Sequence, residues 1–317
     1  MRRAWVIGSG GMLGSALTRA LHRRGLPVHR PSEPFVWNDP DRIGDQLATA
    51  ARAFLDGLAE GDQWQLYWAA GRGSMGSTPA ELDTETRVLG GLLEALREAL
   101  RQRPVPGRIA YASSAGALYS RCPDFEVTLA SAVTPETDYA RAKLAQEGLL
   151  SAFASEVEGL EVLLARFSTL YGPGQAQGKP QGLLSKMARS AVRNRPVEII
   201  VPLDTARDYL FVDDAAEDLT ASLDAFAPTA ARVRVRIISN ERSVTISQII
   251  AAFNTVAKKR LRYVHLRNRI SSLYLPRIAF APSPDRPQGI PRRTLLEGVD
   301  ALLQSEMRAY LKAGHQG

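Results

Sequence analysis

The chain holds one cysteine, Cys122, so an intrachain disulfide is excluded and a reducing cytoplasm is the expected compartment. Its four histidines, His22, His29, His265 and His315, are scattered without ligand spacing, and no metal site is expected. No apolar run reaches the ~18 residues of a membrane span, and the first residues lead into a strand without a signal-peptide pattern. Lysine is scarce: with six lysines among 40 basic residues, 34 are arginine. Acidic residues are missing from the whole stretch Met1 to Ser32, which holds Arg2, Arg3, Arg19, Arg23, Arg24 and Arg30.

What is present is enough for a substantial core. With 317 residues and 45% hydrophobic content, the chain forms one large or two modest globular domains. The net charge of +7 is uneven, because Arg232 to Arg269 carries ten Lys and Arg residues against the single acid Glu241. A basic wall of that kind suits nucleic acid, a diphosphate-bearing substrate or a solvated face. No nucleic-acid motif accompanies it, so neither nucleic acid nor membrane is expected as a partner.

The amino-terminal pattern is a strand, a glycine turn, a helix and a second strand. Ala4-Trp5-Val6-Ile7 reads as a buried parallel strand. Gly8-Ser9-Gly10-Gly11-Met12-Leu13-Gly14 follows, then a helix from Ser15 to Arg24 with Ala16, Leu17, Ala20 and Leu21 inward, and a strand from Val28 to Arg30. In that context the glycines mark a dinucleotide site. Gly8 permits the tight turn, Gly10 or Gly11 lets backbone approach a pyrophosphate, and Gly14 allows close helix packing. Met12 and Leu13, within the glycine loop, complete the cofactor contacts, and the amino terminus of the helix that follows faces the phosphates. An acid commonly ends the second strand to hold an adenosine ribose. Here Arg30 stands at that place, which favours NADP(H) over NAD(H), although the chain uses arginine everywhere and Glu33 offers a ribose ligand one loop later.

Further strands are expected at Gln65 to Ala70, Arg108 to Ala112 and Leu160 to Arg166, with a long helix from Thr84 to Gln102 between the first two. Ala69, Ala70 and Gly71 then approach the cofactor, and Ser113 and Ser114 emerge at the carboxyl end of their strand, where open parallel sheets bind ligands. Strands alternating with helices imply an α/β fold with a doubly wound parallel sheet. After Gly174 the rhythm turns irregular, with a helix from Gly182 to Arg193 and short strands near Glu198 to Val201 and Tyr209 to Val212. The expected division assigns 1–172 and 209–240 to a dinucleotide-binding domain, and 173–208 with 241–317 to a smaller, interwoven one.

The chemistry is concentrated in Tyr139-Ala-Arg-Ala-Lys143. Asp138 to Leu150 has a helical pattern, so Tyr139 and Lys143 share a face one turn apart. Bringing a phenol of pKa near 10 down to neutrality takes roughly 4 kcal/mol, about what a unit charge near 4 Å supplies at an effective dielectric of 20. A serine hydroxyl beside them would hold a carbonyl or carbinol oxygen while Tyr139 moves its proton.

Taken together these segments resemble the extended short-chain dehydrogenase/reductases, in particular the nucleotide-sugar epimerase and dehydratase family. The resemblance rests on Gly8 to Gly14, Tyr111-Ala-Ser-Ser-Ala-Gly-Ala-Leu-Tyr119, Tyr139-x-x-x-Lys143, Arg166-Phe-Ser-Thr-Leu-Tyr-Gly-Pro173 and Arg207-Asp-Tyr-Leu-Phe-Val-Asp-Asp214. It implies a Rossmann-type domain and a C-terminal domain that holds a nucleotide-diphosphate sugar. Tyr139 becomes the acid/base, and Lys143 binds nicotinamide ribose and lowers the tyrosine pKa. Arg207 contacts the diphosphate, with Arg277 and Arg286 as further phosphate candidates, and Thr169 stands where an asparagine usually meets substrate. Ser114 is the preferred catalytic hydroxyl, with Ser113 in reserve as a substrate contact. Ser-Ala-Gly replaces the Thr-Asp-Glu of dehydratases, which disfavours water elimination, and Thr84-Glu85-Thr86 replaces another common asparagine region. The expected reaction is hydride transfer at a ring carbon, C4 by preference, as a 4-ketoreductase. A 4-epimerase is the alternative, and a non-catalytic NADP-binding regulator the second. Analogy also implies a homodimer through Thr84 to Gln102 and Asp138 to Phe153.

Overall fold

A computed structural model describes residues 1–175, 182–225, 232–266 and 277–314. In chain order the first half runs β1 (Arg2–Ile7), α1 (Met12–Arg23), β2 (Val28–His29), α2 (Pro40–Asp56), β3 (Gln63–Trp68), α3 (Pro79–Gln102), β4 (Gly107–Ser114), α4 (Ala115–Leu118), α5 (Asp138–Glu156) and β5 (Leu160–Phe167). There follow β6 (Thr169–Tyr171), α6 (Leu183–Arg193), β7 (Val197–Ile199), β8 (Ala206–Phe211), α7 (Val212–Asp224) and β9 (Val233–Ile238). The chain closes with β10 (Ser243–Thr245), α8 (Ile246–Ala257), β11 (Tyr263–His265) and α9 (Leu295–Gly314).

Six strands form one parallel sheet in the order β2-β1-β3-β4-β5-β9. The order reverses beside β1, so the loops after β1 and β3 flank a crevice at the carboxyl edge. Trp5, Ile7, Trp64, Tyr111 and Leu164 face one helix layer with Phe54, Leu92, Leu96 and Phe153, while Ala4, Val6, Tyr67 and Leu163 face α1 and α7. Covering both faces with helices is what makes these strands apolar throughout rather than alternating.

The helices begin where local chemistry starts them. Asp39 caps α2 by accepting from the Arg42 amide at 3.1 Å, with Pro40 at the first helical position. Thr78 and Glu81 form a capping box that starts α3 at Pro79, before the expected Thr84. Leu89, Leu92, Leu93, Leu96 and Leu100 of α3 are buried, each contributing about 1.5–3 kcal/mol. Thr137 caps α5, accepting from the Ala140 amide at 3.1 Å.

The irregular second half builds two smaller sheets, β10-β8-β6 and β11-β7. Between them and α6, α8 and α9 lies a separate apolar cluster that includes Tyr171, Leu184, Met187, Phe211, Phe253 and Leu302. The strand expected at Tyr209 to Val212 begins earlier, at Ala206, and so carries Arg207 and Asp208 into the small sheet. Asp208 accepts from the amides of Asn240 at 2.8 Å and Arg242 at 3.0 Å, which ties β8 to the turn after β9. Asp214 accepts from the Arg293 amide at 2.6 Å and docks the segment before α9 onto α7.

Candidate active site

The glycine loop leaves room where a cofactor would need it. Gly8 adopts φ of +88°, and a Cβ there would stand 2.6 Å from the Ala70 amide, so β1 and β3 loops touch directly. A Cβ on Gly14 would overlap the Gly8 carbonyl oxygen. By contrast, nothing lies within 4 Å of a Cβ at Gly10. Helix α1 carries no acidic residue in its first turn and no side-chain cap, leaving the amides around Met12 and Leu13 for an anion. Gly11 donates its amide to the Gly8 carbonyl at 2.9 Å, which closes the turn. The cradle fits the pyrophosphate of a dinucleotide.

Strand β4 delivers Ser113 and Ser114 as its last residues, in register with Arg166 and Phe167 of β5. Successive strand residues point to opposite faces, and here the two serines part company. The Ser113 hydroxyl is buried and donates to Glu147 Oε1 at 2.6 Å. The Ser114 hydroxyl faces the Tyr139 phenol, whose pKa it lowers, and accepts from the Ala117 amide at 3.3 Å, capping α4. Ser114 and Tyr139 are therefore brought together, while Ser113 belongs to a neighbouring network.

Lys143 completes the group. Its ammonium donates to the Tyr111 hydroxyl at 3.0 Å and the Ala112 carbonyl at 3.2 Å, and lies 5.8 Å from the centroid of the Tyr139 ring. Burial lowers its pKa to about 8, against the carboxylates of Glu85 and Glu147, which favour the charge. Burial, helped by the Glu85 charge, pushes the Tyr139 phenol up to about 12, with the Ser114 hydrogen bond opposing. The sequence had implied a lowered tyrosine. The difference is physical: in this arrangement Lys143 addresses Tyr111 and a carbonyl instead of the Tyr139 oxygen, so desolvation wins. At neutral pH the site holds a phenol beside an ammonium.

Around this trio stand residues to which the sequence had assigned no role in the site. Tyr111 is fully buried and its hydroxyl donates to Gln146 Oε1, whose amide donates to Thr86 Oγ1 at 3.0 Å. Glu147 accepts from Arg166 Nη2 at 2.7 Å and Nε at 3.0 Å, and Arg166 Nη1 donates to the Tyr119 hydroxyl at 2.6 Å. Glu85 accepts from the Gly73 amide at 2.6 Å and from the Arg72 amide. A signal existed for each. Glu85 shares a helical stripe with buried Leu82 and Leu89, and Gln146 and Glu147 share one with Ala140, Leu150 and Phe153.

The remaining candidates lie at the rim. Arg2 pairs with Asp224 at 2.5 Å, Arg19 with Asp213 at 2.5 Å, Arg23 with Glu217 at 2.6 Å and Arg24 with Glu217 at 3.3 Å, while Arg3 donates to the Gly57 carbonyl at 2.7 Å. Arg30 is exposed just beyond β2 and has no ion-pair or hydrogen-bond partner among the described residues. Glu33 is also exposed. Ala206 bridges Arg277, which sets Arg277 beside Arg207; the Arg277 guanidinium lies 4.2 Å from the Phe125 ring centroid. Arg286 is already paired with Glu241 at 3.0 Å. Thr169 is exposed at the start of β6, opposite Tyr209. No cluster able to hold a metal ion and no helix long and apolar enough to cross a membrane occur among the described residues, and His315 lies outside them.

Comparison with known proteins places this geometry. The family model described as "NAD dependent epimerase/dehydratase family" matches residues 4–233. The chain is 30% identical over 117 residues to a dTDP-4-dehydro-6-deoxyglucose reductase of Escherichia coli, covering 37% of this chain and 36% of that protein. It is 26% identical to a UDP-glucuronate 4-epimerase of Thermodesulfobacterium geofontis, covering 50% of this chain and 46% of the other. The matches to these two relatives thus span less than half of their length. A UDP-glucose 4-epimerase of Mycolicibacterium smegmatis is 25% identical, with 68% of this chain and 71% of that protein covered. Among solved structures, RMD from Pseudomonas aeruginosa complexed with NADPH superposes with a TM-score of 0.77 at 21% identity, over 97% of this chain and 100% of that one. The Thermus thermophilus UDP-glucose 4-epimerase with NAD gives 0.77 at 22% identity, over 96% and 99%. At these identities the structural likeness establishes the Rossmann-type fold.

Proposed function

The chain belongs to the NAD dependent epimerase/dehydratase family, and on that premise we propose that it catalyses NADPH-dependent reduction of a 4-keto group on a nucleotide-diphosphate sugar. The observation that carries the reading is the placing of Ser114, which eases the Tyr139 phenol's ionisation, beside Tyr139, with Lys143 on the next turn, at the carboxyl end of β4 beside the glycine crevice. When bound, NADPH supplies the hydride. The chain's own part is to hold the ketone oxygen with Ser114 and to give it the Tyr139 proton. A phenol kept protonated at neutral pH suits that direction, since reduction needs a donor. Arg30 supports NADPH over NADH because it alone of the first six arginines has no partner among the described residues. A guanidinium on a 2′-phosphate is a charge-assisted contact of about 1.5–3 kcal/mol. Arg207 on β8 and Arg277, which bridges the preceding Ala206, are the proposed diphosphate contacts. A homodimer through α3 and α5 completes the proposal, supported by exposed Leu144 and Leu149 on α5.

The test follows NADPH absorbance and product together across a panel of nucleotide-linked 4-keto and 4-hydroxy sugars. Loss of one NADPH per reduced sugar is expected, and Arg30→Ala should bring NADPH and NADH affinities within about tenfold of each other. Conversion of a 4-hydroxy sugar without net NADPH loss would make the protein a 4-epimerase, which uses the same three residues. Silence over the whole panel would point to a non-catalytic NADP-binding regulator.

A further inference from the structure

Arg2, Arg19, Arg23 and Arg24 each meet an acid, but the irregular second half holds a group of cations that do not. Residues 183–199 and 246–266 carry α6, β7, α8 and β11, and Glu198 is the single acid among them. Against it stand Arg193, Arg195, Lys258, Lys259, Arg260 and Arg262, all exposed and none in an ion pair among the described residues. Folding gathers these six from two stretches of sequence. Strands β7 and β11 run parallel, and each is entered by a short turn from a helix, so both turns emerge at one end of the pair. Arg193 and Arg195 flank the first turn, and the other four belong to the second. The turns are tied together: the Val197 amide donates to the Arg262 carbonyl at 2.9 Å, and Arg262 Nη1 donates to the Asn194 carbonyl at 3.4 Å. Cations suit helix carboxyl termini, yet only Arg193 of the six lies in a last helical turn.

Helix α9 runs to the same end. It and α6 both start at the 171–175 segment, α9 with Gly298 packed on the Tyr171 hydroxyl and α6 with Ser185 donating to Gln175 Oε1 at 2.7 Å. Further along both, Arg189 meets Glu306 at 3.5 Å. Past that pair every residue from Met307 to Ala313 is exposed. Met307, at 45% exposure, and Tyr310, at 50%, lie one turn apart on one side of the helix. Tyr263, Val264 and Leu266 are exposed on and just after the edge strand β11. This end of the molecule thus sets apolar side chains beside unanswered cations, on elements that carry no residue of the proposed reaction.

We propose that this end is a docking surface for an anionic lipid bilayer, with the six cations on the headgroups and Tyr263, Met307 and Tyr310 at their boundary with the acyl chains. Unanswered cations are the charge complement of an anionic leaflet, where each Lys or Arg near the surface tightens binding about fivefold. Apolar and aromatic side chains beside them find a partner at that boundary, and none on the phosphate backbone of a nucleic acid. Lying on a bilayer needs no spanning helix. The linear sequence points away from a membrane because it keeps the two groups of cations apart.

Sedimentation with vesicles tests the surface, using phosphatidylcholine alone or mixed with an equal part of phosphatidylglycerol. Wild-type protein is expected to bind the mixed vesicles and not phosphatidylcholine, with affinity falling as salt shortens the Debye length from about 30 Å to about 3 Å. Because the whole chain is basic, the decisive comparison is between two pairs of exposed cations. Arg195→Gln with Lys259→Gln takes one charge from each turn and should weaken binding about 25-fold, two factors of five. Arg52→Gln with Arg101→Gln removes the same charge from α2 and α3. It should change binding by less than about twofold, since charges beyond a Debye length from the lipid are screened. Met307→Ser with Tyr310→Ser should weaken binding by about tenfold through lost apolar burial, and an unchanged affinity there would remove α9 from the surface. All the substituted side chains are exposed, and circular dichroism melts matching wild type check that each variant folds. Equal losses in the two charge pairs, equal binding to both kinds of vesicle, or no sedimentation of the wild type would overturn the surface. So would a DNA duplex that strips the protein from mixed vesicles at equal phosphate, which would assign the cations to nucleic acid. None of these readouts involves sugar turnover, so failure of docking and failure of the proposed reaction are told apart.

Discussion

Helix α5 carries two polar clusters one turn apart, and they solve the burial of charge in opposite ways. Around Glu147 the strong groups answer one another: Arg166 makes a two-point contact, Tyr119 takes the third guanidinium arm, and Ser113 also donates to Oε1. Around Lys143 the ammonium meets a phenol and a carbonyl, with no carboxylate within ion-pair distance among the described residues. In the closed cluster the charges are paired with one another. The open one has its pKa values displaced by desolvation, to about 8 for Lys143 and about 12 for Tyr139. Burial displaces other phenols too, that of Tyr209 among them, so what distinguishes the open cluster is its place beside the crevice.

Breaking the closed cluster should produce the largest loss of stability. Glu147→Gln leaves Arg166 buried without its counter-charge, which costs about 3–5 kcal/mol; urea unfolding of variant and wild type measures it. A change under about 1 kcal/mol would show that Arg166 finds another partner.

The two serines sharpen the comparison, since they are neighbours in sequence with hydroxyls in different clusters. Ser114→Ala should lower turnover by about 10²–10³, the loss of one donor to the reacting oxygen, with about 1 kcal/mol of stability from the α4 cap. Ser113→Ala should do the reverse, costing about 1.5–3 kcal/mol of stability and leaving the rate per folded molecule nearly intact. A larger rate loss in Ser113→Ala would exchange the assignments.

Much of this was legible in the sequence because it is written in local pattern. The glycine turn, the strand ending in Ser113-Ser114 and the Tyr139–Lys143 spacing each declare themselves within a few residues, and the sheet confirms the doubly wound arrangement. Helix α2 was passed over although Asp39-Pro40 and the stripe Ile43, Leu47, Ala50 and Phe54 announce it. The choice between the serines was beyond the sequence for a different reason. Alternation says that they face opposite ways, but which way is inward depends on α5 crossing above β4. The level of the Tyr139 pKa was hidden likewise. It depends on where the Lys143 ammonium points and on Glu85, which lies 54 residues upstream of Tyr139 and reaches it only through the packing of α3 on α5.

The central claim is that the proton of the reaction passes through Tyr139, and deuteride transfer tests it most directly. NADPH labelled with deuterium at the transferring position is incubated with the keto sugar, and label in the product is followed by mass spectrometry. Wild type should place the deuterium on the carbinol carbon. Tyr139→Phe should bind NADPH as tightly, because the ring packing survives, yet transfer the label about 10²–10⁴ times more slowly. Transfer at more than about a tenth of the wild-type rate, less than the smallest loss expected for a general acid, would contradict the account.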